Sequence, residues 1–346
     1  MPAMRITQIK AFQPPTPGSP PERRTQLGQM VVEITTSDGL TGIGVGGGGL
    51  AGIHVIETVL RDLLIGEDAS QVESLHEAMC RHTAFYGRSG LVVMAISGVD
   101  LALWDLRGKA ADTTVAQILN PAVDLAASLP TYRTVFDDAE TEEALASGFR
   151  AVKLHVERFG DDPDVTGIER LVARVRDKLG SSGSLMIDAF AKWNVESTLA
   201  VARAIAPYQV DWLEEPLLPD DLSGYQRLMQ ESPVPIAGGE HEYLANGFRR
   251  LMDDRLHAVV QPDINWCGGM TTLVEIYRMA KELGVRVVPH RGAEGYAVHA
   301  IAALDQQPLA ESPRTWFQCL SGFPALHSGT VRVPTGAGFG LAFADA

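Results

Sequence analysis

The chain has 346 residues, is 45% hydrophobic and 21% charged, and carries a formal net charge of −14. That composition supports a substantial core and excludes global disorder. The acidic balance argues against a nucleic-acid partner, since such binding rests on clustered Lys and Arg.

Cys80, Cys267 and Cys319 lack CxxC spacing and read as reduced structural residues. The N-terminus has no apolar h-region, and the longest apolar stretch, near LVVMAISGVDLALW, is interrupted by Asp100. A cytoplasmic protein with no membrane partner is therefore expected.

In chain order, the first legible elements are two strand-like runs around SDG in QMVVEITTSDGLTGIGV, a hairpin signal. Helical patterns follow from His54 to Leu64 and from Leu91 to Arg107. Residues 1–125 read as an α+β cap. The GVGGGG run from Gly44 to Gly49 satisfies GxGxxG, but the strand before it belongs to the hairpin and no parallel βαβ unit follows. It is read as a flexible loop over the mouth of the next domain, and no phosphate-loop motif occurs.

From about residue 126 the texture becomes a regular beat: SLPTYRT, FRAVKLHV, SLMIDAF, VDWLEE, VPIAGGEH, HAVVQPD and VRVVPH, each followed by a helix-like segment. After Asp164, the residues Ile168, Leu171, Val172, Val175 and Leu179 fall on one helix face, and Gly180 is placed to end it. Leu273, Ile276, Ala280 and Leu283 form a similar stripe before Gly284. Seven or eight strands alternating with helices predict a parallel (β/α) barrel over residues 126–325, with 326–346 returning to the cap.

Function in such barrels sits at the C-terminal ends of the strands. Those ends carry Lys153 and His155, Asp188, Glu214, Glu240, Asp263, His290 and Glu311. Asp188, Glu214 and Glu240 follow one another at 26-residue intervals, one βα unit each time, so they project from neighbouring strands roughly 5 Å apart. Three like charges that close raise one another's pKa unless a cation sits between them, and oxygen donors point to a hard divalent ion, Mg²⁺. Glu215 is read as a helix N-cap or a solvated loop charge, and strand alternation aims it away from an ion held by Glu214.

Asp263 and His290 end successive strands, so the carboxylate can hold the imidazole and make it a general acid or base. Lys153 lies on the other side of the trio, where a cation receives a developing enolate. Glu311 is placed at the enolate oxygen, or else is structural.

With AISGVDLALWDLRGKA upstream, the ordered set GFRAVKLHV, LMIDAFAKW, DWLEEPL, PIAGGEH, QPDINWCGGMT and VVPHRG resembles the mandelate racemase branch of the enolase superfamily across essentially the whole chain. The resemblance implies an α/β fold, a modified (β/α)7β barrel with an α+β capping domain. It also implies Asp188, Glu214 and Glu240 as Mg²⁺ ligands, His290 and Asp263 as the acid/base pair, and Glu311 near the enolate oxygen. The superfamily's Lys or His base with Mg²⁺ stabilising an ene-diolate comes with the resemblance.

Two departures matter. The usual Lys-x-Lys is Lys153-Leu154-His155, which removes the second lysine of racemases, although His155 can substitute for it. The usual DAN is DAF, which puts Phe190 where an amide often sits near the metal.

The GEHEY and DINWCGG wording is similar to the rhamnonate dehydratase group. The expected activity is therefore Mg²⁺-dependent dehydration of an acid sugar to a 2-keto-3-deoxy acid. His290 would be the acid, and either His290 or His155 the C2 base. A racemase or epimerase of a 2-hydroxy acid and a non-catalytic carbohydrate-sensing protein are the alternatives. The expected partners are a small acid-sugar substrate and further copies of this chain in a homo-oligomer.

Overall fold

The structure is a computed structural model that describes residues 4–14, 28–313 and 319–344. Strands β1 (Ile6–Phe12), β2 (Met30–Thr36) and β3 (Thr41–Gly46) form an antiparallel sheet in that order. The hairpin falls where SDG places it; β1 joins it without any clear alternation in its own sequence to announce it.

The β3 strand packs on the long helix Leu91–Ala110, and glycine makes that possible. A Cβ on Gly44 would lie 2.0 Å from the carbonyl oxygen of Gly98, and one on Gly42 would lie 2.1 Å from that of Ala102. The whole run Gly42 to Gly49 is buried. The glycine-rich segment is thus no flexible loop. It is a close backbone approach of strand to helix, and it continues into the helix Gly49–Val55. Its corner also meets the barrel: a Cβ on Gly47 would lie 2.8 Å from Trp266 Nε1.

Eight parallel strands follow: β4 (Leu129–Val135), β5 (Ala151–His155), β6 (Ser184–Asp188), β7 (Trp212–Glu214), β8 (Ile236–Gly238), β9 (Val259–Val260), β10 (Arg286–Val287) and β11 (Ala310–Glu311). Their order is β10-β9-β8-β7-β6-β5-β4-β11, the curled sheet of a (β/α)7β barrel with a helix between successive strands. No ladder joins β10 to β11 among the described residues. They are linked instead by Ala293 N–H donating to Glu311 O at 3.0 Å and by Arg291 N–H donating to the Glu311 carboxylate at 2.8 Å.

The predicted stripe is complete in the helix Val165–Leu179, whereas in Gly269–Leu283 Leu273, Ile276 and Ala280 are buried but the terminal Leu283 is 43% exposed. In Val165–Leu179 the buried residues are Ile168, Leu171, Val172, Val175 and Leu179, with the Asp164 side chain capping the start and Gly180 at φ 74 after the end.

The cap is fastened to the barrel by buried polar bonds. Asp100 accepts from Thr271 N–H at 3.0 Å and from its hydroxyl at 2.6 Å, and Asn265 Nδ2 donates to Val45 O at 2.8 Å. Beyond β11, β12 (Leu320–Ser321) pairs with β14 (Ala342–Phe343), and β13 (Thr330–Val331) pairs antiparallel with β4. Phe343 also approaches Phe12 of β1, with ring centroids 6.1 Å apart. Cys80, Cys267 and Cys319 are all free. Among the described residues no helix is long and apolar enough to cross a membrane.

Candidate active site

The parallel register sets the site. His155 on β5 pairs with Asp188 on β6, and Asp188 pairs with Glu214 on β7, so three polar side chains rise side by side from adjacent strands. Glu214 is opposite Ala237, which leaves Glu240 beyond the end of β8, after Gly239 turns the chain at φ 115. Equal sequence spacing therefore does not give equal height. Glu240 retains 12% side-chain exposure at the mouth, whereas Glu214 is almost fully buried.

Lys153 is no rim lysine. Its buried ammonium is ion-paired with Glu214, lies 3.1 Å from Asp188 and 3.9 Å from Glu311. Burial works against its charge, but those carboxylates outweigh it and hold the pKa well above the usual lysine value. Glu214 also accepts from Trp212 Nε1 at 3.1 Å and from Gln261 Nε2 at 2.7 Å. Burial, supplemented by the charges of Asp188 and Glu240 and opposed by Lys153, pushes Glu214 up to about 8.

Asp263 and His290 lie past β9 and β10 and are joined by an isolated parallel bridge. His290 Nδ1 is 2.9 Å from the Asp263 carboxylate, and Nε2 faces Glu240 at 3.4 Å and Glu311 at 3.7 Å. Burial disfavours the imidazolium, yet Glu240, Glu311 and Asp263 together raise its pKa to about 9. Glu311 is fully buried and also accepts from Thr134 Oγ1 at 3.1 Å, which excludes a solvated role.

Glu215 departs from the sequence reading. It is neither an N-cap nor a solvated charge, but a buried carboxylate that accepts from His241 Nδ1 at 2.7 Å and from Gly239 N–H at 3.3 Å. Its backbone has φ 36, off regular strand geometry, so simple alternation does not govern where its carboxylate goes. Among the described residues, the carboxyl oxygens of Glu215 and Glu240 and a ring nitrogen of His241 lie within 4.8 Å of one another, a gathering the Asp188, Glu214 and Glu240 set does not reach.

Sequence reasoning also missed His241, which sits in the quoted GGEH, and Gln261, which precedes Asp263 by two and shares its strand face.

His155 lies on the opposite side of the trio from His290. Its Nε2 is 3.7 Å from Asp188, and its ring is packed between Phe136 and Phe190, with centroids 5.4 and 5.5 Å away. In sequence PPTPGSPPERRTQ and GGGGLAGIH read as specificity loops whose Arg23, Arg24 and His54 serve surface solubility; the first lies outside the described residues from position 15 onward, and His54 is exposed.

A parallel barrel whose mouth gathers six carboxylates, a buried lysine and three imidazoles under an α+β cap is the architecture of an enolase-superfamily enzyme. The chain belongs to that superfamily's mandelate racemase / muconate lactonizing enzyme family: residues 12–120 match its N-terminal domain, and residues 137–346 match the enolase C-terminal domain-like model.

It is 34% identical over 328 residues to L-rhamnonate dehydratase of Saccharopolyspora erythraea, covering 91% of this chain and 83% of the relative. It is also 34% identical over 322 residues to 3,6-anhydro-alpha-L-galactonate cycloisomerase of Streptomyces coelicolor, covering 90% of this chain and 88% of that one. A solved structure of a racemase from Streptomyces coelicolor A3(2) with bound magnesium is similar at a TM-score of 0.86 and 30% identity, over 98% of this chain and 97% of that one.

Proposed function

We propose that the protein is a Mg²⁺-dependent dehydratase of an acid sugar, converting an aldonate to a 2-keto-3-deoxy acid. The observation that carries the reading is His290, held at Nδ1 by Asp263 with Nε2 directed at the carboxylates of the barrel mouth. An imidazole so fixed is a positioned proton donor, which is what loss of a hydroxide from C3 requires.

The donor set fits a hard divalent ion. Asp188, Glu214 and Glu240 offer carboxylate oxygens only, and the pKa of Glu214 is raised by burial and by its two acidic neighbours, a strain that a cation relieves. Glu215 is the weaker candidate for a ligand because its oxygens are already committed to His241 and Gly239. When bound, Mg²⁺ supplies Lewis-acid polarisation of the substrate carboxylate, worth several kcal/mol to an enediolate.

The chain's own residues do the rest. A base removes the C2 proton. Lys153 places a positive charge where the enediolate develops, and Glu311 stands on the same side. His290 then gives a proton to the 3-hydroxyl as the C3–O bond breaks and water leaves. The C2 base is His290 itself or His155 across the trio.

A second reading, isomerisation without water loss, draws support from that same opposed pair of imidazoles and from the cycloisomerase relative.

Incubation with a panel of aldonates and Mg²⁺, with detection of 2-keto acids and mass analysis, tests the reading. Loss of one water per turnover supports it. Isomerised products of unchanged mass would replace it with the second reading.

A further inference from the structure

The mouth carries an apolar feature that the proposed chemistry does not use. Phe190 and Phe136 are 48% and 42% exposed, and they sandwich the His155 ring beside Asp188. Single exposed aromatics are ordinary, but two rings flanking one imidazole at the barrel mouth form a contiguous apolar patch, the kind of surface that marks a contact site.

Phe190 is also held in a costly conformation. Its φ is 55 and that of Ala191 is 53, fixed by Phe190 N–H donating to Asp188 Oδ1 at 3.0 Å and Ala191 N–H donating to Glu215 O. The left-handed region suits Gly, Asn or Asp and penalises a bulky aromatic. A small polar residue would remove both the strain and the exposed ring, so strain and exposure at one mouth residue together indicate a functional contact.

We infer that Phe136 and Phe190 form a stacking wall for the C–H face at the distal end of the substrate, and that they select acid sugars lacking a free 6-hydroxyl over fully hydroxylated ones. The inference rests on the acid-sugar reading above and deepens it. The wall is continuous with the reacting centre through His155, whose ring it clasps 3.7 Å from Asp188, so a substrate whose carboxyl end lies at Asp188 and Glu214 lies alongside it. Aromatic faces favour C–H surfaces and offer no partner to a hydroxyl, which would lose its water there. Two kinds of hexonate supply such a surface: a 6-deoxy acid with a terminal methyl group and an anhydro acid whose 6-oxygen is closed into a ring.

The test compares kcat/KM for matched pairs, L-rhamnonate against L-mannonate and 3,6-anhydro-L-galactonate against L-galactonate, within a wider panel of hexonates. The proteins are the wild type, Phe190→Asn and Phe136→Ser. Asn tolerates the left-handed backbone, so Phe190→Asn should fold with an unchanged or higher Tm. The wild type should prefer the deoxy or the anhydro member, which identifies the source of the C–H face. Each variant should cut that preference by about tenfold, the scale of one lost methyl-sized contact.

A wild type that prefers fully hydroxylated acids overturns the inference. Variants that slow both members of a pair equally also overturn it, because the rings would then act only by positioning His155. Failure of the wild type on every acid sugar instead sinks the functional reading beneath it.

Discussion

Glu215 binds His241 Nδ1 at 2.7 Å, while its chain neighbour Glu214 binds Lys153, Trp212 and Gln261 in the barrel core. Two consecutive glutamates thus serve two different partners, and their substitutions should separate. Glu214→Gln should lower Mg²⁺ affinity at least tenfold by calorimetric titration. Glu215→Gln should leave affinity within a few-fold but cost about 1–3 kcal/mol of stability, the scale of a lost buried bond to a charged group. Equal losses of metal affinity would place the ion at the Glu215, Glu240 and His241 group.

Much of this was legible because barrel geometry converts sequence spacing into space. The strand ends named Lys153, Asp188, Glu214, Asp263, His290 and Glu311, and the register brings them to one mouth. What was hidden depends on backbone that leaves the regular path. The positive φ at Glu215 and Gly239 turned Glu215 toward His241 and moved Glu240 past the strand end, and no periodicity encodes that. The glycines of β3 misled for a related reason: a residue that permits close packing and one that permits a loop are the same letter.

Gly44 tests the packing account of that run. A Cβ there meets the backbone oxygen of Gly98 and cannot be accommodated by a side-chain shift. Gly44→Ala should therefore destabilise the protein by about 1–3 kcal/mol or more in chemical denaturation. A neutral result would return the segment to a loose loop.

His299 gives a pH signature away from the active site. Its Nδ1 accepts from Ala116 N–H at 3.2 Å and its Nε2 faces Phe339 O at 3.3 Å, a neutral tautomer, and burial lowers its pKa from 6.5 to about 4. Between those values the unfolded chain binds a proton that the native protein refuses. Stability contributed by the neutral ring is therefore complete above pH 6.5 and is lost as pH falls towards 4, by about 3 kcal/mol. His299→Asn, which keeps an acceptor near Ala116, should flatten that limb of a urea-denaturation pH series. An unchanged slope would show that His299 does not carry it.

Removal of the metal is a simple check on the carboxylate trio. Excess chelator should abolish turnover of the best acid sugar without unfolding the barrel, and added Mg²⁺ should restore it. Full activity in chelator would remove Asp188, Glu214 and Glu240 from the role assigned to them.

The most direct test of the account is the product formed by His290→Asn from the preferred acid sugar in D₂O, read by proton NMR beside the wild type. With His290 as the acid that expels the 3-hydroxyl, the variant should form the 2-keto-3-deoxy acid at least roughly 10²-fold more slowly. Any C2 deuterium exchange that survives would then identify His155 as the base, and joint loss of exchange and elimination would assign both steps to His290. Dehydration by His290→Asn at near the wild-type rate would contradict the account.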